Sequence, residues 1–180
     1  VVGVMQDITA QKEMLQQLES SEKLKASVID ALSEGLVVQD KNDNIVLANV
    51  ASATVLGLTI DQLLGKTSFD PLWQAHDKNN KPIAPEDHPS MVTLRTGNNI
   101  DGFIMKVHTG TGESKVIKIN SRPIKDENGV VLRAVTSFID ISKERNAEEK
   151  LRETSDRLEW ALQGTNAALW DLNLLTGKTV

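Results

Sequence analysis

Between Phe103 and Ile141 the chain spells three β-rich runs, Phe103 to His108, Val116 to Ile124 and Val130 to Ile141, joined only by Thr109-Gly110-Thr111-Gly112 and Lys125-Asp126-Glu127-Asn128-Gly129. Connections this short join only antiparallel neighbours, since a parallel pair needs a crossover of roughly a dozen residues or more. Alternation at period two then assigns the faces. Phe103, Met105, Val107, Ile117, Ile119, Ser121, Leu132, Thr136 and Phe138 share one face, and Lys106, His108, Lys118, Asn120 and Arg122 share the other. In the last run Val135 and Ile139 are apolar too, which predicts a strand covered on both faces.

Upstream, Gly35 to Gln39 and Asn44 to Ala48 flank Asp40-Lys41-Asn42-Asp43 and read as a hairpin. Asn49 is a favoured N-cap for a helix that Gly57 stops, and a second short helix, Thr59 to Leu64, ends at Gly65. Thr67 to Pro85 reads as irregular, because its prolines leave no window for a long helix. Pro85 to Gly97 reads as one further helix, with Glu86 and Asp87 favouring its N-terminal dipole. The order predicts an α+β fold: a five-stranded antiparallel sheet with short helices on one face.

The two ends of the chain resemble each other. Val1-Val2-Gly3-Val4-Met5-Gln6-Asp7-Ile8-Thr9 aligns with Ala134-Val135-Thr136-Ser137-Phe138-Ile139-Asp140-Ile141-Ser142 at an offset of 133 residues. The same offset pairs Leu18 with Leu151, Ile29 with Leu162, Ser33 with Asn166 and Leu36 with Leu169. Self-similarity at a fixed period marks a repeated module. The expected organisation is the last strand of a preceding module at 1–9, a connector helix at 10–32, a complete module at 33–141, a second connector at 142–165, and the start of a following module at 166–180.

Both connectors read as amphipathic helices. Ile8, Leu15 and Ile29 recur every seven residues with Leu18 and Leu32 beside them, interrupted by Glu22 and Lys25, and Leu151, Leu158 and Leu162 mark the second stripe. Thr9 and Ser142 are placed to cap the two starts. Leu15, Leu18, Ile29, Leu151 and Leu158 are therefore candidates for a dimeric coiled coil. In the alternative, each helix packs its stripe against its own module.

The absence of Cys removes disulfides, thiolate zinc sites and cysteine nucleophiles together. A formal charge of −5, with acids and bases interleaved, leaves no basic stripe for nucleic acid. No apolar run approaches the roughly 20 residues that span a bilayer. The expected location is cytoplasmic, with a membrane anchor elsewhere in a longer parent left open. There is no Ser-His-Asp constellation, no His pair at metal-ligating helical spacing and no glycine-rich phosphate loop, so neither an enzyme nor a metal site is expected.

Particular words of the sequence are similar to those of PAS domains in bacterial sensor histidine kinases of two-component systems and in diguanylate cyclases. They are Glu34-Gly35-Leu36-Val37-Val38-Gln39-Asp40, Ile45-Val46-Leu47-Ala48-Asn49, Leu64-Gly65-Lys66, Pro82-Ile83-Ala84-Pro85-Glu86-Asp87-His88-Pro89 and Asp140-Ile141-Ser142, the last resembling an Asp-Ile-Thr exit signature that Asp7-Ile8-Thr9 carries intact. Asn80 stands where many relatives have Gly, and Arg133 where a small residue is common.

The resemblance implies a PAS fold and a sensory or relay role, with Asp7, Thr9, Asp140 and Ser142 as relay junctions. It also implies partners: neighbouring PAS or output domains of the same chain, a second copy as homodimer, and a small-molecule ligand. The candidate pocket comprises Trp73, His76, Met105, Val107, Ile117, Ile119, Ser121, Thr136 and Phe138, though a filled core accounts for the same pattern. His88 lies on the helix from which some relatives hold haem, yet it reads more simply as a helix start. A flavin that forms a cysteine adduct is excluded by composition, and a redox flavin rests only on Trp73 and Asn49. No cofactor is assigned. The alternative to a sensor is a ligand-free spacer and dimerisation module.

Overall fold

The computed structural model describes residues 9–70, 74–165, 172–173 and 178–179. The chain divides into two units, Val1–Asp140 and Ile141–Val180.

The first unit opens with helix α1, Thr9–Asp30, and then strands β1, Gly35–Asp40, and β2, Ile45–Ala48. Their hairpin is closed by Asp40, whose Oδ1 accepts from the amides of Asn42 at 2.8 Å and Asn44 at 2.9 Å. Helix α2, Val50–Leu56, starts where expected: the Asn49 side chain accepts from the amide of Ser52, and Gly57 ends the helix at φ 66°. Helix α3, Ile60–Leu63, carries a reciprocal cap in which the Thr59 side chain accepts from the Gln62 amide and the Gln62 side chain accepts from the Thr59 amide.

Two features correct the sequence reading. The sheet has six strands rather than five, because Ala75–His76 within the stretch read as irregular forms β3 and pairs with the fourth strand. A two-residue strand is too short for alternation to reveal. Its turn holds Asn80 at φ 62°, a left-handed geometry that favours glycine and that Asn tolerates better than most other residues.

The helix read over Pro85 to Gly97 is also broken. A 3-10 turn at Pro85–Asp87 is separated from helix α4, Pro89–Thr96, by His88, whose ψ of 141° is extended. Proline sterically disfavours helical geometry in the residue before it, so Pro89 starts one helix by stopping the other.

Strands β4, Ile100–His108, β5, Ser114–Lys125, and β6, Val131–Asp140, complete an antiparallel sheet of order β2-β1-β6-β5-β4-β3. The N-terminal β1 thus sits beside the C-terminal β6, Gly35 facing Phe138. The core gathers Val37, Ile45, Leu56, Leu63, Val107, Ile117, Ile119 and Phe138, with Phe103 and Met105 packed against it. Ser121 is fully buried on the same face, but Leu132 is exposed, lying near the open end of β6. Ile139 is 44% exposed, so the expected cover on its side of β6 is not complete.

In α1 the stripe residues Leu15 and Leu18 are more than half exposed, while Ile29 is half-buried near the sheet. The second unit comprises helix α5, Ser142–Thr165, and a short antiparallel pair, β7, Leu172–Asn173, with β8, Lys178–Thr179. Leu151, Leu158 and Trp160 of α5 are exposed. Among the described residues no helix is long and apolar enough to cross a membrane.

Candidate functional site

The inner face of the sheet does not close completely on its helices. It leaves a cavity of about 80 Å³ whose apolar wall includes Met105, Val107, Ile117, Ile119 and Phe138, with Thr136 among them. These are candidate pocket residues brought together by β4, β5 and β6 through the inward alternation of each strand. Ser121 is not in the wall; its hydroxyl lies 3.1 Å from that of Thr136, so the two polar groups on the inner face satisfy each other. His76 also stands elsewhere, its ring edge-on to His108 with centroids 5.9 Å apart. Trp73 and Asp7 lie outside the described residues.

The polar part of the wall was not legible as a site. Gln39, Ser68, His88 and Ser90 face the cavity from β1, the segment after α3, and the start of α4. Gln39 and Ser68 are held by Asp43, a buried carboxylate at φ 69° in the first hairpin. Its Oδ1 accepts from Gln39 Nε2 at 2.6 Å and Ser68 Oγ at 2.9 Å, and its Oδ2 accepts from the Ser68 amide at 2.5 Å. Burial pushes the Asp43 carboxyl above its ordinary range, and the hydrogen bonds from Ser68 work against that shift. The Asp40-Lys41-Asn42-Asp43 turn signal therefore concealed a second role: one of its acids ties the hairpin to a wall of the cavity.

His88 owes its place to the break before Pro89, which turns the ring inward from the seam between the 3-10 turn and α4. The residue is 7% exposed, and its Nε2 is buried with no hydrogen-bond partner among the described residues. Burial lowers its pKa from the ordinary 6.5, and the charges of Asp87 and Glu86 only partly oppose this. The ring is thus neutral at physiological pH. The cavity is well below the roughly 300–1,000 Å³ of sites that hold drug-sized ligands. Among the described residues no group of three potential metal ligands gathers.

The second candidate region is the module exit. Asp140, the last residue of β6, is paired across the sheet with Ile117, and its Oδ2 lies 3.7 Å from Lys115 Nζ on β5. Ile117 is a cavity wall residue, so the ion pair sits two residues along β5 from the cavity. Such a partly exposed pair contributes roughly 0–1 kcal/mol, enough to bias a conformation and too little to fix it. Ser142 is the first residue of α5 and Thr9 the first residue of α1.

No curated protein matches the chain. Solved structures do. A PAS domain from Colwellia psychrerythraea is 21% identical, covering 67% of this chain and 97% of its own, with a TM-score of 0.52. The PAS domain of an HTR-like protein from Haloarcula marismortui is 17% identical over 72% of this chain and 99% of its own, TM-score 0.54. That of BvgS from Bordetella pertussis is 23% identical over 77% and 98%, TM-score 0.51. At these identities the likeness shows the fold. The sequence profile described as PAS domain matches residues 33–143, more than half of the chain. With the antiparallel sheet, its helices and the exit at Asp140 all inside that span, the chain belongs to the PAS domain family, a family of sensory and signalling modules.

Proposed function

We propose that this chain is a signal-relay module of a larger sensor, in which the state of the core cavity biases the sheet and the change leaves through the helix that follows β6. The observation that carries this reading is the shared use of two strands. β5 and β6 supply Ile117, Ile119, Thr136 and Phe138 to the cavity wall, and the same strands carry the Lys115 and Asp140 pair at the exit. An occupant that shifts these strands acts on the junction that directs α5. The relay requires that the occupant favour one arrangement over another by differential affinity.

The module is read as one of a tandem series in a sensor kinase or diguanylate cyclase, with catalysis residing in other domains. The short pair β7 and β8 supports this. Residues 172–173 and 178–179 correspond, at the offset of 133, to 39–40 and 45–46, the tip of the β1 and β2 hairpin. Asp7, Thr9, Asp140 and Ser142 are the relay junctions of this scheme.

The second reading is a ligand-free spacer that joins neighbours and pairs with a second copy. Exposed Leu15, Leu18, Leu151 and Leu158 favour it. Filling the cavity through Ala75→Leu separates the two. Ala75 is a buried wall residue. Under the relay reading, amide hydrogen exchange in the first turns of α5 changes by about threefold or more, which corresponds to a local stability change of roughly 0.65 kcal/mol. Unchanged exchange in α5 alongside changed exchange at the cavity itself supports the spacer.

A further inference from the structure

We infer that the cavity takes a small uncharged molecule with a short aliphatic body and one hydrogen-bonding end, seated with its polar group toward His88. This rests on the relay reading and specifies its input. Among the described residues the wall contains no Asp, Glu, Lys or Arg, so they supply no fixed countercharge for an ionic ligand. A bare charge moved into such surroundings loses its hydration without compensation. The carboxylate just behind the polar wall, Asp43, is committed to Gln39 and Ser68, and it would repel an anion.

The polar end is placed by His88. Its ring is more than nine-tenths buried, its backbone is fixed at the seam by Pro89, and its Nε2 has no partner among the described residues. Buried polar groups are nearly always satisfied, and an unmatched one in a native structure calls for a further group. A neutral imidazole can donate at one nitrogen and accept at the other, which suits an amide or an alcohol. Elsewhere in the wall, Val107, Ile117 and Phe138 offer only apolar contact.

Size limits the body. The cavity is about 80 Å³, whereas an engineered apolar cavity of roughly 150 Å³ accommodates benzene. The occupant therefore has about three to five non-hydrogen atoms, and ligand efficiency restricts its affinity to about micromolar at the tightest.

Propanamide and propanoate, nearly equal in shape and different in charge, form the test. Each is titrated into the full chain at neutral pH and followed by two-dimensional amide and imidazole NMR. Propanamide is expected to give saturable shifts at His88, Ser90 and Thr136, propanoate to bind at least about tenfold more weakly, and Ala75→Leu to abolish the propanamide shifts. Should that variant unfold, Ser90→Val narrows the same cavity from α4. Equal or tighter binding of propanoate overturns the uncharged class while leaving the relay reading intact. No saturable shift from propanamide overturns the inference outright. The relay reading then stands or falls separately on whether Ala75→Leu alters exchange in α5.

Discussion

At the residue scale, three buried side chains act well beyond their own positions. Asn49 is fully buried; its Oδ1 accepts from the amides of Leu36 at 2.8 Å and Ser52 at 2.9 Å, and its Nδ2 donates to the carbonyls of Ile29 at 3.1 Å and Glu34 at 2.9 Å. One amide thus caps α2 and stitches the end of α1 to the start of β1. Asn49→Ala removes a cap and leaves several backbone groups unmatched, for an expected loss of roughly 3 kcal/mol. Urea unfolding checks this, and a loss below about 1 kcal/mol would reduce Asn49 to an ordinary cap. The cap was legible from the sequence because it depends on local spacing; the bonds to Ile29 and Glu34 were not, because they depend on how the chain returns. His88 makes a pH prediction. Its folded pKa lies below the ordinary 6.5, so the unfolded chain binds more protons as pH falls through that value. Its effect is absent above 6.5 and destabilising below it, so the melting temperature falls on acidification and His88→Gln flattens that slope. An unchanged slope in the variant would assign the acid sensitivity elsewhere. Asp43 acts with the opposite sign in a lower window: its raised folded pKa means that its stabilising proton is lost as pH rises above 3.8 toward that folded value.

At the element scale, the antiparallel meander, the first hairpin and both short helices could be read because each is specified by alternation, turn residues or caps a few positions apart. The remaining features depend on tertiary placement. β3 exists because β4 is there to pair with it, and its two residues carry no period of their own. The break at His88 was written in the sequence as a histidine before proline, but the acidic residues ahead of it gave a stronger helix-start signal. The polar wall escaped for a different reason: Gln39, Ser68 and Ser90 have ordinary roles in their own segments and meet only in three dimensions. The joining of β1 to β6 is a further long-range event, and it depends on Gly35. A Cβ there would overlap the Cε2 and Cζ edge of Phe138, the ring that both closes the core and lines the cavity. Gly35→Ala must displace that ring, at an expected cost of roughly 1–3 kcal/mol from overpacking. Stability in urea measures the cost, and aromatic NMR shifts of Phe138 test the cause; a destabilised variant with an unmoved Phe138 would refute the packing account.

For the molecule as a whole, the question is how strongly two copies associate through the exposed stripes, since a relay needs an interface that an input can shift. Leu15, Leu18, Leu151 and Leu158 are 57%, 54%, 73% and 51% exposed. Complete burial of such a side chain returns roughly 1.5–3 kcal/mol, so covering the exposed half of each yields about 1–1.5 kcal/mol per leucine. Over both protomers the gain is of order 10 kcal/mol, against an association cost of roughly 4–15 kcal/mol. Glu22 and Lys25 interrupt the α1 stripe and lower the gain further. The balance predicts a weak dimer, with dissociation in about the micromolar to millimolar range, and predicts that Leu151→Lys with Leu158→Lys yields a monomer without altering the fold of residues 33–143. Sedimentation across that concentration range is the measurement; a tight dimer indifferent to the paired substitution would place the interface elsewhere. A weak dimer also fits a weak input. A ligand present at about 100 times its dissociation constant supplies roughly 2.7 kcal/mol to the state it prefers, a quantity able to tip an interface so finely balanced and unable to tip a strong one. Propanamide at saturation should therefore move the dimer equilibrium of the native chain by a measurable factor and leave that of Ala75→Leu where it was.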